Sequence, residues 1–314
     1  MKVLFIDSVH SILQERLAQN GFLCIDGTQF DKAKCEEILQ SGTEGIVVRS
    51  RFAMDKDFLQ NAPNLKFIAR SGAGMENIDL VYCEEKEIKL FNAPEGNRNA
   101  VGEHALGMLL SLFNNLNKGN REIKAGKWDR EGNRGIELDG KTVGIIGYGN
   151  NGAAFAKKLR GFDVKILAYD KYKNNFSTEF VKESTLDELF EEADVVSFHI
   201  PQNKETIFMA DAQFFSSFKK PVYVLNLSRG KIVKTTDLVQ ALDSNKVLGA
   251  GLDVLEFEKA SFEDMFGAAI PAVFKALLDS DKVLLSPHVG GWTKESYYKL
   301  SDVLADKITN TFCI

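Results

Sequence analysis

Thr142-Val143-Gly144-Ile145-Ile146-Gly147-Tyr148-Gly149-Asn150-Asn151-Gly152 reads as an apolar strand running straight into a G-x-G-x-x-G turn, and Ala153 to Arg160 continues as a helical pattern. A glycine-rich turn alone is common, but between a strand and a helix each glycine has a task. The first permits a tight turn and the second lets a pyrophosphate approach the backbone. The third lets the helix pack close to the sheet with its N-terminus facing the phosphates. The next strand, Val164–Tyr169, ends at Asp170, 18 residues past Gly152, where a carboxylate would bind adenosine ribose hydroxyls. The stretch predicts a dinucleotide site built on Gly147, Gly149, Gly152 and Asp170. Asp170 points to NAD rather than NADP because its charge would repel a 2′-phosphate, although Lys171 and Lys173 follow and could soften that discrimination.

Outward from this unit, short apolar runs alternate with helical stretches along the whole chain. Towards the N-terminus the strand candidates are Lys2–Ile6, Phe22–Ile25, Gly45–Arg49, Lys66–Arg70 and Ile88–Phe91, with helices at Ser11–Asn20, Asp31–Gln40 and Asp55–Asn61. Towards the C-terminus they are Val195–Ile200, Val222–Leu227, Leu248–Val254 and Val283–Ser286. Alternation of this kind predicts right-handed βαβ units, and near-continuous apolar strands fit parallel sheets covered on both faces. Each half is expected to be its own doubly wound α/β unit. A turn-rich joint is expected at Asn92-Ala93-Pro94-Glu95-Gly96-Asn97, before one long helix from about Val101 to Lys124; a last helix, about Lys294–Thr311, returns to the first domain after a second crossing near Ser286-Pro287-His288.

The 314 residues suggest two domains and are ample for a core without staples. With 44% hydrophobic and 26% charged residues, the disordered and fibrous classes drop out. No apolar run approaches the ~20 residues of a membrane span, and Met1–Asp7 reads as a first strand rather than a signal peptide. Cys24, Cys35, Cys83 and Cys313 are scattered without a CxxC pair, so neither a disulfide framework nor a metal site is expected. The net charge of −5 argues against a nucleic-acid partner. A cytoplasmic protein is expected.

A nicotinamide enzyme acting on an alcohol needs a group to exchange the hydroxyl proton and a cation to hold the substrate. Among the four histidines, His10 reads as a surface or loop residue and His104 as packing or capping. His199, ahead of Pro201, could border the cofactor. His288 follows a strand end in Ser286-Pro287-His288-Val289-Gly290-Gly291-Trp292, and Arg229 holds the equivalent place in Asn226-Leu227-Ser228-Arg229-Gly230. Residues just past strand C-termini line the ligand crevice of open α/β sheets, although a solvated loop cation is the plain alternative for Arg229.

At this point the chain resembles the D-isomer-specific 2-hydroxyacid dehydrogenases, and within them the D-3-phosphoglycerate dehydrogenases. The resemblance rests on motifs spaced over nearly the whole chain: Arg70-Ser71-Gly72-Ala73-Gly74 leading to Asn77-Ile78-Asp79, Gly102-Glu103, the dinucleotide fingerprint, Ser228-Arg229-Gly230, Leu252-Asp253-Val254 and Pro287-His288-Val289-Gly290-Gly291. It implies a Rossmann NAD-binding domain (98–288) inserted in a flavodoxin-like substrate domain (1–97 and 289–314). It implies Arg229 as substrate-binding arginine, His288 as acid/base and Glu258 as the histidine's partner, with Glu256 a solvated alternative. A carboxylate there would fix the imidazole tautomer and stabilise the imidazolium. Further cofactor contacts are implied at Asn150, Asn151, Ile200, Leu227, Asp253 and Gly290, and substrate-carboxylate binding by the backbone of Ser71, Gly72, Ala73 and Gly74.

The implied reaction is hydride transfer between a D-2-hydroxy acid and NAD. Glu258 argues against the formate branch, which has glutamine there. Arg49, Ser50, Arg51 and Arg70 resemble the phosphate-binding region of phosphoglycerate dehydrogenases and point to 3-phosphoglycerate and serine biosynthesis, and Arg130 and Arg134 could add charge. Glyoxylate, hydroxypyruvate or another 2-hydroxy acid is the alternative, and an NAD-sensing corepressor the reading from a different class. A homodimer is implied. The chain stops after its last returning helix, so no serine feedback through a C-terminal regulatory domain is expected. Lys259 stands where the family usually has proline, and the longer segment from Ala260 to Ser280 is expected to be a helical elaboration covering the crevice.

Overall fold

The computed structural model describes residues 1–258 and 270–313. These divide into two units: Met1–Arg98 with the stretch from Trp292 onward, and Asn99–Glu258 with the residues leading up to Gly291. The first runs β1 (Lys2–Phe5), α1 (Ser11–Gln19), β2 (Leu23–Asp26), α2 (Lys32–Gln40), β3 (Gly45–Val48), α3 (Lys56–Leu59), β4 (Phe67–Arg70), α4 (Leu80–Glu85) and β5 (Lys89–Asn92). Its strands are all parallel in the order β2-β1-β3-β4-β5, the flavodoxin-like winding. Val3 and Phe5 face one apolar cluster with Leu13, Leu17 and Leu304, while Leu4 and Ile6 face another with Leu39 and Phe58. Alternation with both faces covered explains why these runs are apolar throughout. Asp31, Asp55 and Asp79 start α2, α3 and α4 by accepting a backbone N–H three residues on.

α5 (Pro94–Phe113) carries the chain from one unit into the other. The second unit continues through α6 (Leu116–Lys124), β6 (Thr142–Ile146), α7 (Asn150–Lys158), β7 (Lys165–Tyr169), β8 (Lys182–Glu183), α8 (Leu186–Glu192), β9 (Val195–Phe198), α9 (Ala212–Ser217), β10 (Val222–Asn226), α10 (Thr235–Asp243), β11 (Val247–Leu252), α11 (Ala272–Asp279) and β12 (Val283–Leu285). Its parallel sheet has the order β12-β11-β10-β9-β6-β7-β8. β7 and β8 lie to one side of β6 and β9 to the other, so the winding reverses between β6 and β9. That is the switch point at which doubly wound sheets bind ligands. α12 (Lys294–Phe312) belongs to the first unit and buries Leu300, Leu304, Ala305 and Ile308 against its sheet. Among the described residues no helix is long and apolar enough to cross a membrane.

Three expectations are corrected. The single helix over Val101–Lys124 is two, broken where Asn115 adopts a left-handed φ of 50°, a conformation asparagine tolerates better than most residues. The turn-rich 94–97 stretch is instead the first turn of α5, since Pro94 at a helix start sacrifices no hydrogen bond. In the 260–280 segment, Phe262, Met265 and Phe266 lie outside the described residues. Phe274 and Leu277 on α11 are buried in the second unit's core rather than covering a crevice.

Candidate active site

At the switch point, β6 ends in Gly147, whose φ is 93°. A Cβ on Gly147 would stand 2.6 Å from the His199 carbonyl oxygen, and one on Gly152 would stand 2.0 Å from that of Gly147. These two glycines are therefore demanded by the fold. Gly149 differs: a Cβ there meets nothing within 4 Å. It sits at the N-cap of α7 with no side chain capping the helix, so room and unsatisfied N–H groups coincide where a pyrophosphate would lie. Asn151 adds a buried Oδ1 without a hydrogen-bond partner among the described residues, and Ile200, just past β9, reaches Gly147. These residues fit a dinucleotide.

Asp170 stands beyond β7 and accepts from the backbone N–H groups of Tyr148 (2.9 Å), Tyr172 and Lys173 (3.0 Å each). The two following lysines are both engaged. Lys171 pairs with Glu205 at 2.8 Å, and Tyr172 donates to the same carboxylate. Lys173 lies over the rings of Tyr148 and Phe176 and donates to the Tyr148 carbonyl. Both ammonium groups therefore have partners other than the Asp170 carboxylate.

His199, which could border the cofactor by its sequence position, has enclosed ring nitrogens. Nε2 meets Ser197 Oγ at 2.8 Å and Nδ1 is buried with no partner. Desolvation pushes its pKa down to about 3. The unfolded chain takes up this proton near pH 6.5 while the folded chain refuses it until about pH 3. His199 therefore removes stability as pH falls through that window, by at most ~1.4 kcal/mol per pH unit. Urea unfolding at pH 7.5 and pH 5 should show a smaller acid loss in His199→Phe than in the wild type. Equal losses would refute the assignment.

Two loops past strand ends carry the polar constellation. After β10, fully buried Asn226 donates from Nδ2 to the Arg229 carbonyl (2.9 Å) and accepts from the Ser228 N–H, while Ser228 Oγ donates to Phe198 O. The Arg229 guanidinium is oriented by donating from Nη1 to Ser228 O at 2.7 Å. A Cβ on Gly230 would fall 1.9 Å from Leu255 O, so this glycine lets the Arg229 loop lie against the one leading to Glu258. Glu256 is not solvated as expected: it accepts from Thr235 N at the start of α10. Glu258 holds His288 Nδ1 at 2.8 Å through one oxygen and accepts from Leu255 N through the other.

His288 has a left-handed φ of 54°, and its N–H donates to Asp253 O (2.8 Å) and Ser286 O (3.0 Å). Asp253, 2% exposed, accepts from Ser286 Oγ (2.6 Å), Val289 N (2.9 Å) and Gly290 N (2.8 Å). A Cβ on Gly290 would come within 2.8 Å of that carboxylate. Asp253 and Gly290, implied as cofactor contacts, thus take part in holding the histidine loop. Leu227, too, has its side chain buried in the core. His104, read as packing, places Nε2 3.0 Å from Ser286 Oγ and so braces the same loop from α5. Sequence reasoning missed Ser286 and His104 because their partner, Asp253, follows β11, far from either along the chain.

In the first unit, Arg49 follows β3 and Arg70 ends the adjacent β4. Asp7 Oδ2 gathers the N–H groups of Arg49, Ser50 and Arg51 at 2.5, 3.0 and 3.2 Å, a contact that spacing did not reveal. Arg51 is corrected from substrate ligand to loop staple, because Nη1 donates to Ile6 O, Gly27 O and Thr28 O and Nη2 to Phe30 O. The Arg70 guanidinium lies across Gly72, where a Cβ would be 1.6 Å from Nη1. Ser71 is buried, and the Gly72 N–H, expected to meet a carboxylate, donates to Arg70 O at 2.9 Å. Asn92 fixes the loop by donating to Ala73 O. Arg134, in the arm after α6, pairs with Glu131.

A family model described as D-isomer specific 2-hydroxyacid dehydrogenase, NAD binding domain, matches residues 106–290. A D-3-phosphoglycerate dehydrogenase of Archaeoglobus fulgidus is 34% identical over 99% of this chain, which spans 57% of that relative's length. A hydroxypyruvate reductase of Thermotoga maritima is 35% identical, over 84% of this chain and 83% of the relative. The crystal structure of a D-lactate dehydrogenase from Aquifex aeolicus, complexed with NAD and lactic acid, superposes with a TM-score of 0.82 at 27% identity, covering 99% of this chain and 95% of that one.

Proposed function

This chain belongs to the D-isomer specific 2-hydroxyacid dehydrogenases, with the family's NAD-binding domain over residues 106–290, and on that premise we propose that it interconverts a D-2-hydroxy acid and its 2-oxo acid, with 3-phosphoglycerate and 3-phosphohydroxypyruvate as the pair. The observation that supports the reaction is the 2.8 Å contact of Glu258 with His288 Nδ1. On this reading Nε2 is the nitrogen that exchanges the proton, and the carboxylate fixes the ring's tautomer and orientation. NAD, when bound, supplies or accepts the hydride. In the reductive direction His288 gives its proton to the carbonyl oxygen. Arg229 holds the carboxylate and polarises the carbonyl through charge-assisted hydrogen bonds. The amides of Ala73 and Gly74 are proposed to receive the carboxylate as well.

The phosphate assignment rests on Arg49. Its side chain has no hydrogen-bond acceptor or carboxylate partner among the described residues, unlike that of Arg51. The loss of Arg51 from the site favours the second reading, reduction of unphosphorylated glyoxylate or hydroxypyruvate. The engagement of Lys171 and Lys173 supports NAD over NADP. A homodimer is proposed through the arm, where Leu116, Ile123 and Trp128 are exposed, Trp128 by 80%. A cytoplasmic setting suits four cysteines that are all free thiols.

The test follows NADH absorbance with 3-phosphohydroxypyruvate, hydroxypyruvate and glyoxylate. A kcat/KM higher by on the order of 10- to 100-fold for the phosphorylated acid is expected, the worth of hydrogen bonds to a charged group. An equal or lower value overturns the phosphate assignment and leaves the dehydrogenase reading standing.

A further inference from the structure

Trp292 precedes α12 by two residues, and the segment around it is rigidly built. Thr293 caps the helix, its Oγ1 accepting from Ser296 N while its own N–H donates to Ser296 Oγ at 2.8 Å. Trp292 therefore sits at the position before the cap and Tyr297 at the fourth helical position. Their rings meet edge to face at 5.6 Å, a hydrophobic staple that fixes how the chain enters the helix. Tyr297 is itself braced by the edge of His10, whose backbone N–H donates to Ser301 Oγ. The indole is thus held by its ring neighbour, while Trp292 as a whole remains 48% exposed.

The Arg49 guanidinium lies 4.2 Å from the centroid of that indole. Stacking uses the face of a guanidinium and leaves its N–H donors, all in the plane, pointing outward. An arginine so held suits an anion: its guanidinium rests over the indole, and among the described residues no carboxylate pairs with its side chain. The backbone on either side is also fixed, because Asp7 holds the N–H groups of Arg49, Ser50 and Arg51 and Asn77 donates to Arg49 O at 3.3 Å.

We propose that Trp292 is a specificity-determining residue, which selects phosphorylated over unphosphorylated 2-oxo acids by holding the Arg49 fork flat for a phosphate dianion. The inference rests on the phosphate assignment above. It adds that the selectivity belongs to the Arg49–Trp292 pair and not to arginine charge alone.

The experiment measures kcat/KM for 3-phosphohydroxypyruvate and for hydroxypyruvate in the wild type, Trp292→Leu, Trp292→Phe, Arg49→Leu and the double variant. Trp292→Leu is expected to lower the phosphorylated-to-unphosphorylated ratio about 10-fold, the scale of a well-packed cation–π contact. The change should lie in KM for the phosphorylated acid, with hydroxypyruvate turnover unchanged. Trp292→Phe keeps a ring face and restores most of the ratio. The double variant should lose no more than Arg49→Leu. Trp292→Met, long and apolar enough to keep the contact with Tyr297, serves if the leucine variant does not fold. A wild-type ratio retained without the indole while Arg49→Leu abolishes it, or losses that simply add, overturns the inference and spares the phosphate assignment. No preference in the wild type overturns both.

Discussion

Replacing His288 with alanine is expected to lower kcat by about 10³-fold, in the upper part of the range for a general acid–base group, while KM and NADH affinity stay within a few-fold of wild type. The expectation follows from how the loop is held. The loop's backbone bonds, from the His288, Val289 and Gly290 N–H groups to Asp253, do not involve the imidazole, so alanine leaves the loop anchored. His288→Gln should be equally inactive, because an amide donates a hydrogen bond but does not exchange a proton on demand. Single-turnover NADH absorbance isolates the chemical step, and NADH fluorescence titration reports cofactor binding. Turnover within tenfold of wild type would remove His288 from the proposed mechanism.

The left-handed backbone at His288 makes that loop a place where strain is retained, at a cost of order 1–2 kcal/mol. Asp253 explains how it persists. A buried carboxylate is costly unless its oxygens are hydrogen-bonded, and here Ser286, Val289 and Gly290 all donate to it. Satisfying the carboxylate and bending the chain through His288 are one event. His104 extends the network to α5 through Ser286. The imidazole is thereby positioned from the loop side by Asp253 and from the ring side by Glu258.

Much of this was readable from residue order. The strands announced themselves because parallel strands covered on both faces are apolar throughout, and Gly147–Gly152 lay between a strand and a helix as a phosphate loop requires. Glu258 was implied by the family resemblance, and it meets His288 at 2.8 Å. What escaped was whatever depended on partners far along the chain. Arg49 and Arg51 are indistinguishable by pattern, yet carbonyls from residues 6, 27, 28 and 30 converge on the Arg51 side chain and, among the described residues, none on that of Arg49. Glu256 looked solvated because the helix it caps begins 21 residues earlier. The break between α5 and α6 escaped for a different reason: Leu116 continues the apolar spacing, and only a backbone angle at Asn115 interrupts it.

Arg229→Leu is expected to lower kcat/KM by about 10³-fold, because it deletes both the carboxylate anchor and the proposed polarising charge at the carbonyl; one such donor is worth roughly 10²–10³. The loop itself should survive. Asn226, Ser228 and Gly230 hold it through contacts that do not use the guanidinium, so the thermal midpoint is expected to move little. Arg229→Lys is the sharper variant. Lysine restores the charge, but its ammonium lacks the planar fork that Ser228 O orients through Nη1. It should recover only part of the loss, remaining at least about tenfold below wild type. If lysine restored full activity, charge alone would suffice and the oriented fork would be irrelevant. If leucine retained activity within tenfold, Arg229 would revert to the solvated loop cation that its sequence position also allowed. Combining Arg229→Leu with His288→Ala gives the final discrimination. Two residues acting on one carbonyl in one step should lose less together than the product of their separate losses, whereas independent roles would multiply.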